Sequence, residues 1–400
     1  MLELQLNMFQ ALAVAALVYC LGSFLVKKIS VLGKYCIPAP VVGGLVFAIV
    51  HVILRGAGIV SITFDTTLQT FFMTVFFTSV GFTASFRLLK KGGKQVLVFL
   101  AIAIGMVVLQ NLVGSGLAGV FGLDPRLGLC VGSIPMVGGH GTSGSFGQLM
   151  DGMGITGAST VAIASATFGL VAGSMLGGPI ARRRINKHGL HSEEIAQVEE
   201  GVDESDHTFS TNTARFTQGA IFMSVAMGLG IPISELLSKI TIMGRPMTFP
   251  SYIGAMLAAV IIRNVWDAFH KELPSSEIET TGGVSLSLFL SFALMGLRLW
   301  ELADLALPMI VMLLAQTVLM GVYAYFVVFN VMGHDYEAAV MTTAFCGFGM
   351  GATPNAMANM QAVTKNYGPA PRAFFVVPLV GSLFIDFFNS LIITTFLSVL

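Results

Sequence analysis

Apolar residues run along this chain in long blocks separated by short polar breaks. Blocks of bilayer-crossing length lie near 8–26, 38–54, 68–86, 96–120 and 158–181. Five more lie near 216–238, 250–268, 284–302, 307–330 and 372–398. Two further blocks, 127–150 and 337–361, are apolar but too broken by glycine to be ordinary helices. They predict re-entrant hairpins, because irregular backbone at membrane depth is tolerated only when protein buries it or it lines a wet cavity. The pattern predicts an all-α polytopic membrane protein.

The two broken blocks resemble each other. Gly139 and Gly141 of the segment GGHGTSG match Gly349 and Gly351 of GFGMGATPN, and Pro40 and Gly44 match Pro250 and Gly254 at the same spacing. The chain therefore divides into residues 1–181, a polar linker 182–214 and residues 215–400. Each half holds five spans and one hairpin. Five is odd, so the halves must insert upside down relative to each other, as inverted-topology repeats. Paired helix-breaking segments in two such halves point to a transport site.

Composition sharpens the class. The chain is 55% hydrophobic and 10% charged, against about 25% charged in soluble domains. Its formal net charge is zero, which suggests no nucleic-acid partner. The first ten residues hold no Lys or Arg, so the first span reads as an uncleaved anchor rather than a signal peptide. Cys20, Cys36, Cys130 and Cys346 are scattered and show no metal-ligand spacing. With the N-terminus outside, sixteen of the 21 Lys and Arg residues fall on the inner side, among them Lys27, Lys28, Arg182, Arg183 and Arg184. Both termini are then external and the linker is cytoplasmic. Its acidic run from Glu193 to Asp206 reads as a solvated linker or a regulatory tail.

The chemistry sits in the glycine segments. Glycines allow backbone carbonyls and amides to turn toward a ligand. Broken helices expose N–H groups and positive dipole ends that suit a carboxylate, while carbonyls and hydroxyls suit Na⁺. Gly139, His140, Gly141, Thr142 and Ser143 are candidates in the first segment, with Ser133 and Ser145 as further oxygen ligands. Gly349, Gly351, Thr353, Asn355 and Asn359 are candidates in the second, where Pro354 fixes a break. His140 stands opposite Met350 in the repeat, so the hairpins are chemically unequal. Asp386 is an intramembrane carboxylate, a functional candidate or else a helix-packing group. Gln110, Asn111, Gln316 and Thr317 are mid-span polar residues that either contact the ion or join helices. Arg298, Glu301 and Asp304 fall near a span end and read as snorkelling groups.

At these motifs the chain resembles the bacterial sodium/glutamate symporter family over nearly its whole length. The strings that carry the resemblance are Gly138-Gly-His-Gly-Thr142, Gly347-Phe-Gly-Met-Gly-Ala-Thr-Pro354 and Phe384-Ile-Asp386. Ile37-Pro38-Ala-Pro40, Val284-Ser-Leu-Ser-Leu-Phe-Leu290 and Ala293-Leu-Met-Gly296 are also close. The resemblance implies Na⁺-coupled uptake of L-glutamate across the inner membrane. It also places the second loop motif on Gly347 to Gln361, which adds Gln361 to the ion candidates. The chain departs from the family pattern at Pro135, Val137 and Ser143-Gly144, all in the first hairpin.

Two other readings compete. A transporter of another small amino acid or dicarboxylate, coupled to Na⁺ or H⁺, would use the same scaffold. Gly141-Thr-Ser-Gly144 also matches the G-x-S-G string of intramembrane serine hydrolases, which need a His base within reach of the Ser. For a symporter, one bundle carrying both hairpins is expected to move against a scaffold built from the first two spans of each half. That scaffold is also the expected surface of a homodimer.

Overall fold

The computed structural model describes residues 2–30, 32, 38–87, 93–192, 213–237, 239, 241–242, 245–246, 251–297 and 305–400. Cys36, Pro250, the acidic run 193–206, and Arg298, Glu301 and Asp304 lie outside the described residues.

The protein is built almost wholly of helices. In the first half these are α1 (Met8–Lys28), α2 (Ala39–Gly56), α3 (Thr67–Thr83), α4 (Gly93–Val120), a short α5 (Ser133–Met136), α6 (Gly139–Gly152) and α7 (Ala158–His188). In the second half they are α8 (Thr213–Leu237), α9 (Ser251–Ala268), α10 (Ser275–Met295), α11 (Ala306–Val331), α12 (Tyr336–Gly349), α13 (Thr353–Tyr367), α14 (Pro371–Leu383) and α15 (Ile385–Val399). Among the described residues, eight helical segments are long and apolar enough to cross a membrane, with α14 and α15 forming one of them. The expected spans at α3 and α9 are helical but compact. α3 has 17 residues, and α9 ends in the polar residues Arg263, Asn264 and Asp267.

Three local features differ from the sequence reading. The third span of the second half runs over Ser275–Met295 rather than 284–302. Its polar start stays helical because Glu277 pairs with Arg215 of α8 at 2.8 Å, and Gly296 caps its end. The last span is not one helix but two, interrupted at Phe384. A short parallel strand pair, β1 (Leu2–Leu6) and β2 (Val60–Phe64), joins the N-terminus to the α2–α3 connection, and the amide of Ile62 donates to His51 Nε2 at 3.0 Å.

The helices pack as two groups. One contains α1, α2, α3, α8, α9 and α10; the other contains α4 to α7 and α11 to α15. The first group therefore takes three spans from each half, not two. Its contacts are backbone-close: a Cβ on Gly22 would fall 1.8 Å from the Ala39 carbonyl oxygen, and one on Gly254 would fall 2.1 Å from that of Gly230. Without a hydrophobic drive between helices in lipid, such small-residue contacts hold helices together through dispersion. The groups meet where Gly141 lies against Phe76 and Leu286, and Gly144 against Phe289.

α7 is the spine of the second group. Gly169, Gly173 and Gly177 recur every fourth residue and so share one face. Cβ atoms there would meet the Met350 carbonyl at 2.2 Å, the Cys346 carbonyl at 2.7 Å and Thr343 Oγ1 at 2.6 Å. α12 thus rests on bare α7 backbone. At the other end of α7, buried Arg184 stacks on Tyr325 at 3.7 Å and donates to the Tyr325 carbonyl in the π-helical turn Ala324–Val328 of α11.

Candidate functional site

The two broken segments come together tip to tip. α5 and α6 are separated by Val137 and Gly138, and α12 and α13 by Met350, Gly351 and Ala352. Gly139 has φ +57° and lies beside the Gly351 carbonyl, where an added Cβ would come within 3.2 Å. Only glycine takes that backbone conformation without strain. Neither α6 nor α13 has a side-chain N-cap. α6 begins with amides that have no partner within the helix, whereas α13 offers the Thr353 amide alone, since Pro354 has no N–H and the Asn355 amide donates to the Ala352 carbonyl at 3.0 Å.

Between these tips and the first helix group is a cavity of about 460 Å³. Gly139, His140 and Gly141 line it from α6, Gly351 and Thr353 from the second segment, and Asp386 from α15. Tyr19, Phe76 and Ser287 line it from the facing group. Six of the residues singled out in the sequence thus share one cavity. Thr142, Ser143, Gly349, Asn355, Ser133, Asn111, Asn359 and Gln361 do not line it.

Local bonding explains most of these placements. The Thr167 hydroxyl donates to the Ile163 carbonyl at 3.2 Å and also contacts His140 Nε2 at 3.0 Å. Thr353 Oγ1 donates to the Gly381 carbonyl at 2.8 Å. The break at Phe384 leaves that carbonyl without its helical partner, and Thr353 supplies one. Asn355 and Asn359, one turn apart on α13, donate to the carbonyls of Leu170 and Gly173 on α7 at 2.9 and 3.0 Å. Their amides hold the second segment to the spine. Gln361 is exposed.

A second polar cluster lies behind the tips, and Asn389 is the member that the sequence reading missed. Asn389 Nδ2 donates to the Ser133 carbonyl at 3.1 Å, and the Ser133 amide donates to Asn111 Oδ1 at 2.9 Å. Next to it, Gln316 Nε2 donates to the Gln110 carbonyl and Gln110 Nε2 to the Gly349 carbonyl, both at 2.8 Å. These residues are fully buried. Ser133 Oγ, Asn389 Oδ1, Gln110 Oε1 and Gln316 Oε1 have no hydrogen-bond partner. Buried oxygens are rarely left unpaired in a native protein. The only sequence signal for Asn389 is an amide in an apolar span, two helical positions beyond Phe387.

Ser143 is buried with its Oγ unpartnered, while His140 turns to Thr167. The Ser–His pair that a hydrolase needs is not formed.

At the C-terminal end of α6 a further cavity of about 460 Å³ is lined by Gln69, Gln148, Asp151 and Ser159. Asp151 accepts from the amides of Ala158 and Ser159 at 2.9 and 3.3 Å, capping the start of α7.

Known proteins match this chain end to end. The family model described as sodium/glutamate symporter matches residues 4–369. A sodium/glutamate symporter of Escherichia coli K12 is 39% identical over 398 residues, 98% of either chain. That of Haemophilus influenzae Rd is 40% identical over 388 residues, 96% of this chain and 95% of the other. With two uncapped helix starts meeting at one buried cavity, and with this likeness along its length, the chain belongs to the sodium/glutamate symporter family.

Proposed function

We propose that the protein is a multi-pass inner-membrane symporter that couples L-glutamate uptake to Na⁺, and that the cavity between α6 and α13 is its substrate site. The observation that carries the site assignment is the pair of uncapped helix starts on one cavity. Glutamate has two carboxylates. Each helix start offers a positive dipole end to one of them, α6 with several free N–H groups and α13 with that of Thr353. Among the described residues no Lys or Arg lines the cavity, so backbone dipoles and bound cations balance the substrate's charge.

Na⁺ prefers oxygen ligands, and the unpartnered oxygens behind the tips supply them. We place an ion at Ser133 Oγ and Asn389 Oδ1, with Gln110 Oε1 and Gln316 Oε1 beside it, while Asn111 holds Ser133 by accepting its amide at Oδ1. The cluster touches α5 through Ser133 and α12 through the Gly349 carbonyl. An ion there stiffens both segments before substrate arrives, which is a coupling free energy between two sites.

The recurrence of span, broken pair and span in both halves supports inverted repeats with re-entrant segments at 127–150 and 337–361. The pairing of β1 with β2 supports an N-terminus on the same side as the α2–α3 connection, which the charge distribution makes the outside. In this reading the second helix group moves against the first and alternates access. The first group also forms a homodimer, and cross-linking in lipid that yields monomer alone would remove that element.

The test is radiolabelled L-glutamate uptake into proteoliposomes, with an inward Na⁺ gradient and then with choline in its place. Concentrative uptake only with Na⁺ is expected. Equal uptake in both salts, or none in either, contradicts the reading.

A further inference from the structure

Asp386 is the only carboxylate lining the cavity, and among the described residues the lining holds no Lys or Arg. Its backbone is fixed. Asp386 sits in the first turn of α15 just after the break at Phe384, and its carbonyl accepts from Ser390 Oγ at 2.8 Å. Phe384, Ile385 and Asn389 around it are fully or almost fully buried. Its carboxylate takes no partner from the described residues. A helix-packing role would show such a bond. A lone carboxylate facing a largely apolar cavity is costly unless a ligand answers it.

The nature of that ligand follows from donor and acceptor chemistry. A carboxylate only accepts, and an ammonium only donates. The helix starts of α6 and α13 are donors and suit the carboxylates of an amino-acid dicarboxylate. The acceptor they lack is Asp386. We infer that Asp386 binds the ammonium group of the substrate and separates amino acids from dicarboxylates that have no amino group. This rests on the symport reading of the cavity. It replaces the ion-ligand role expected for Asp386. Na⁺ needs several oxygens together, and no other carboxylate or side-chain amide among the described residues lines this cavity. The unpartnered oxygens of Ser133, Asn389, Gln110 and Gln316 lie outside this cavity.

The test compares L-glutamate with glutarate, which has both carboxylates and no amino group. Binding of each to the full chain in lipid nanodiscs is measured in Na⁺ and in K⁺, for wild type, Asp386→Asn and Asp386→Glu. Wild type is expected to favour L-glutamate over glutarate by about 10-fold to 100-fold, the range of one charge-assisted hydrogen bond. Asp386→Asn is expected to bring that ratio close to one, with the Na⁺ concentration for half-maximal glutarate binding unchanged. Asp386→Glu is expected to keep part of the preference. If Asp386→Asn keeps the wild-type ratio, or shifts the Na⁺ requirement while leaving the ratio alone, the inference is overturned. If Asp386→Asn does not fold, the wild type and Asp386→Glu still decide: equal wild-type affinities for the two ligands overturn it. Wild type that binds neither ligand in Na⁺ overturns the symport reading itself. Na⁺-dependent binding without discrimination overturns only the role of Asp386.

Discussion

The two broken segments face the same cavity and both rest on α7, but the first also meets the other helix group. The second, α12–α13, is bonded to α7 by backbone contact at Gly169, Gly173 and Gly177 and by the amides of Asn355 and Asn359. The first, α5–α6, also rests on α7, through Gly147 against the Ser159 backbone and His140 against Thr167, but its Gly141 and Gly144 meet Phe76, Leu286 and Phe289 of the other helix group. Both belong to one frame, and the first also forms the surface along which that frame meets its neighbour. In a transporter that moves one group against the other, both segments travel together, and the first forms the sliding contact with the facing group.

The sharpest way to break this comparison is to add bulk on each side. Gly173→Leu drives a side chain into the Cys346 carbonyl, which cannot yield. We expect a loss of at least about 3 kcal/mol of stability, the upper range for overpacking, seen as collapse of the thermal unfolding midpoint and of folded yield. Gly141→Ala meets only the ring edge of Phe76 and the end of Leu286, at 3.1 and 3.2 Å. It should leave the unfolding midpoint nearly unchanged while slowing uptake.

Removing one bond at a time gives smaller effects. Asn359→Leu strips two hydrogen bonds, to Gly173 and to Thr343 at 3.2 Å, and should cost about 1–2 kcal/mol, measured by thermal unfolding in nanodiscs. His140→Ala should raise the KM for glutamate with little change in unfolding midpoint, because its one described bond is to a side chain. Ser133→Ala, which removes an oxygen from the proposed ion cluster, should raise the Na⁺ concentration for half-maximal uptake by about 10-fold, equivalent to about 1.4 kcal/mol. Unchanged Na⁺ dependence in that variant would move the ion elsewhere.

The parts of this arrangement that announce themselves in sequence are those with local chemistry. Gly138 to Gly144 and Gly347 to Asn355 stand out because glycine and hydroxyl residues are conspicuous in apolar surroundings, and these strings do contain the helix breaks. The break at Phe384 carries no such mark, since apolar residues continue through it and Pro378 and Gly381 lie upstream. Asn355 and Asn359 look like ligands by type, yet their partners on α7 are far away in the chain, and only packing shows that they act as bonds between helices. Asn389 was missed for the same reason, because Ser133 is even more distant. The polar start of α10 reads as a loop until Arg215 of α8 is placed beside Glu277. Helix type is set by local composition. Which face meets which partner is set by tertiary contact.

The central claim is that both helix starts hold one substrate. Determining the structure of the full chain by electron cryomicroscopy, in lipid with Na⁺ and L-glutamate, tests it most directly. The account predicts ligand density between Gly139–Gly141 and Gly351–Thr353, with both carboxylates toward the helix starts and the amino group toward Asp386. Density in the cavity beside Gln69 and Asp151 instead, with the space between the tips empty, would contradict it.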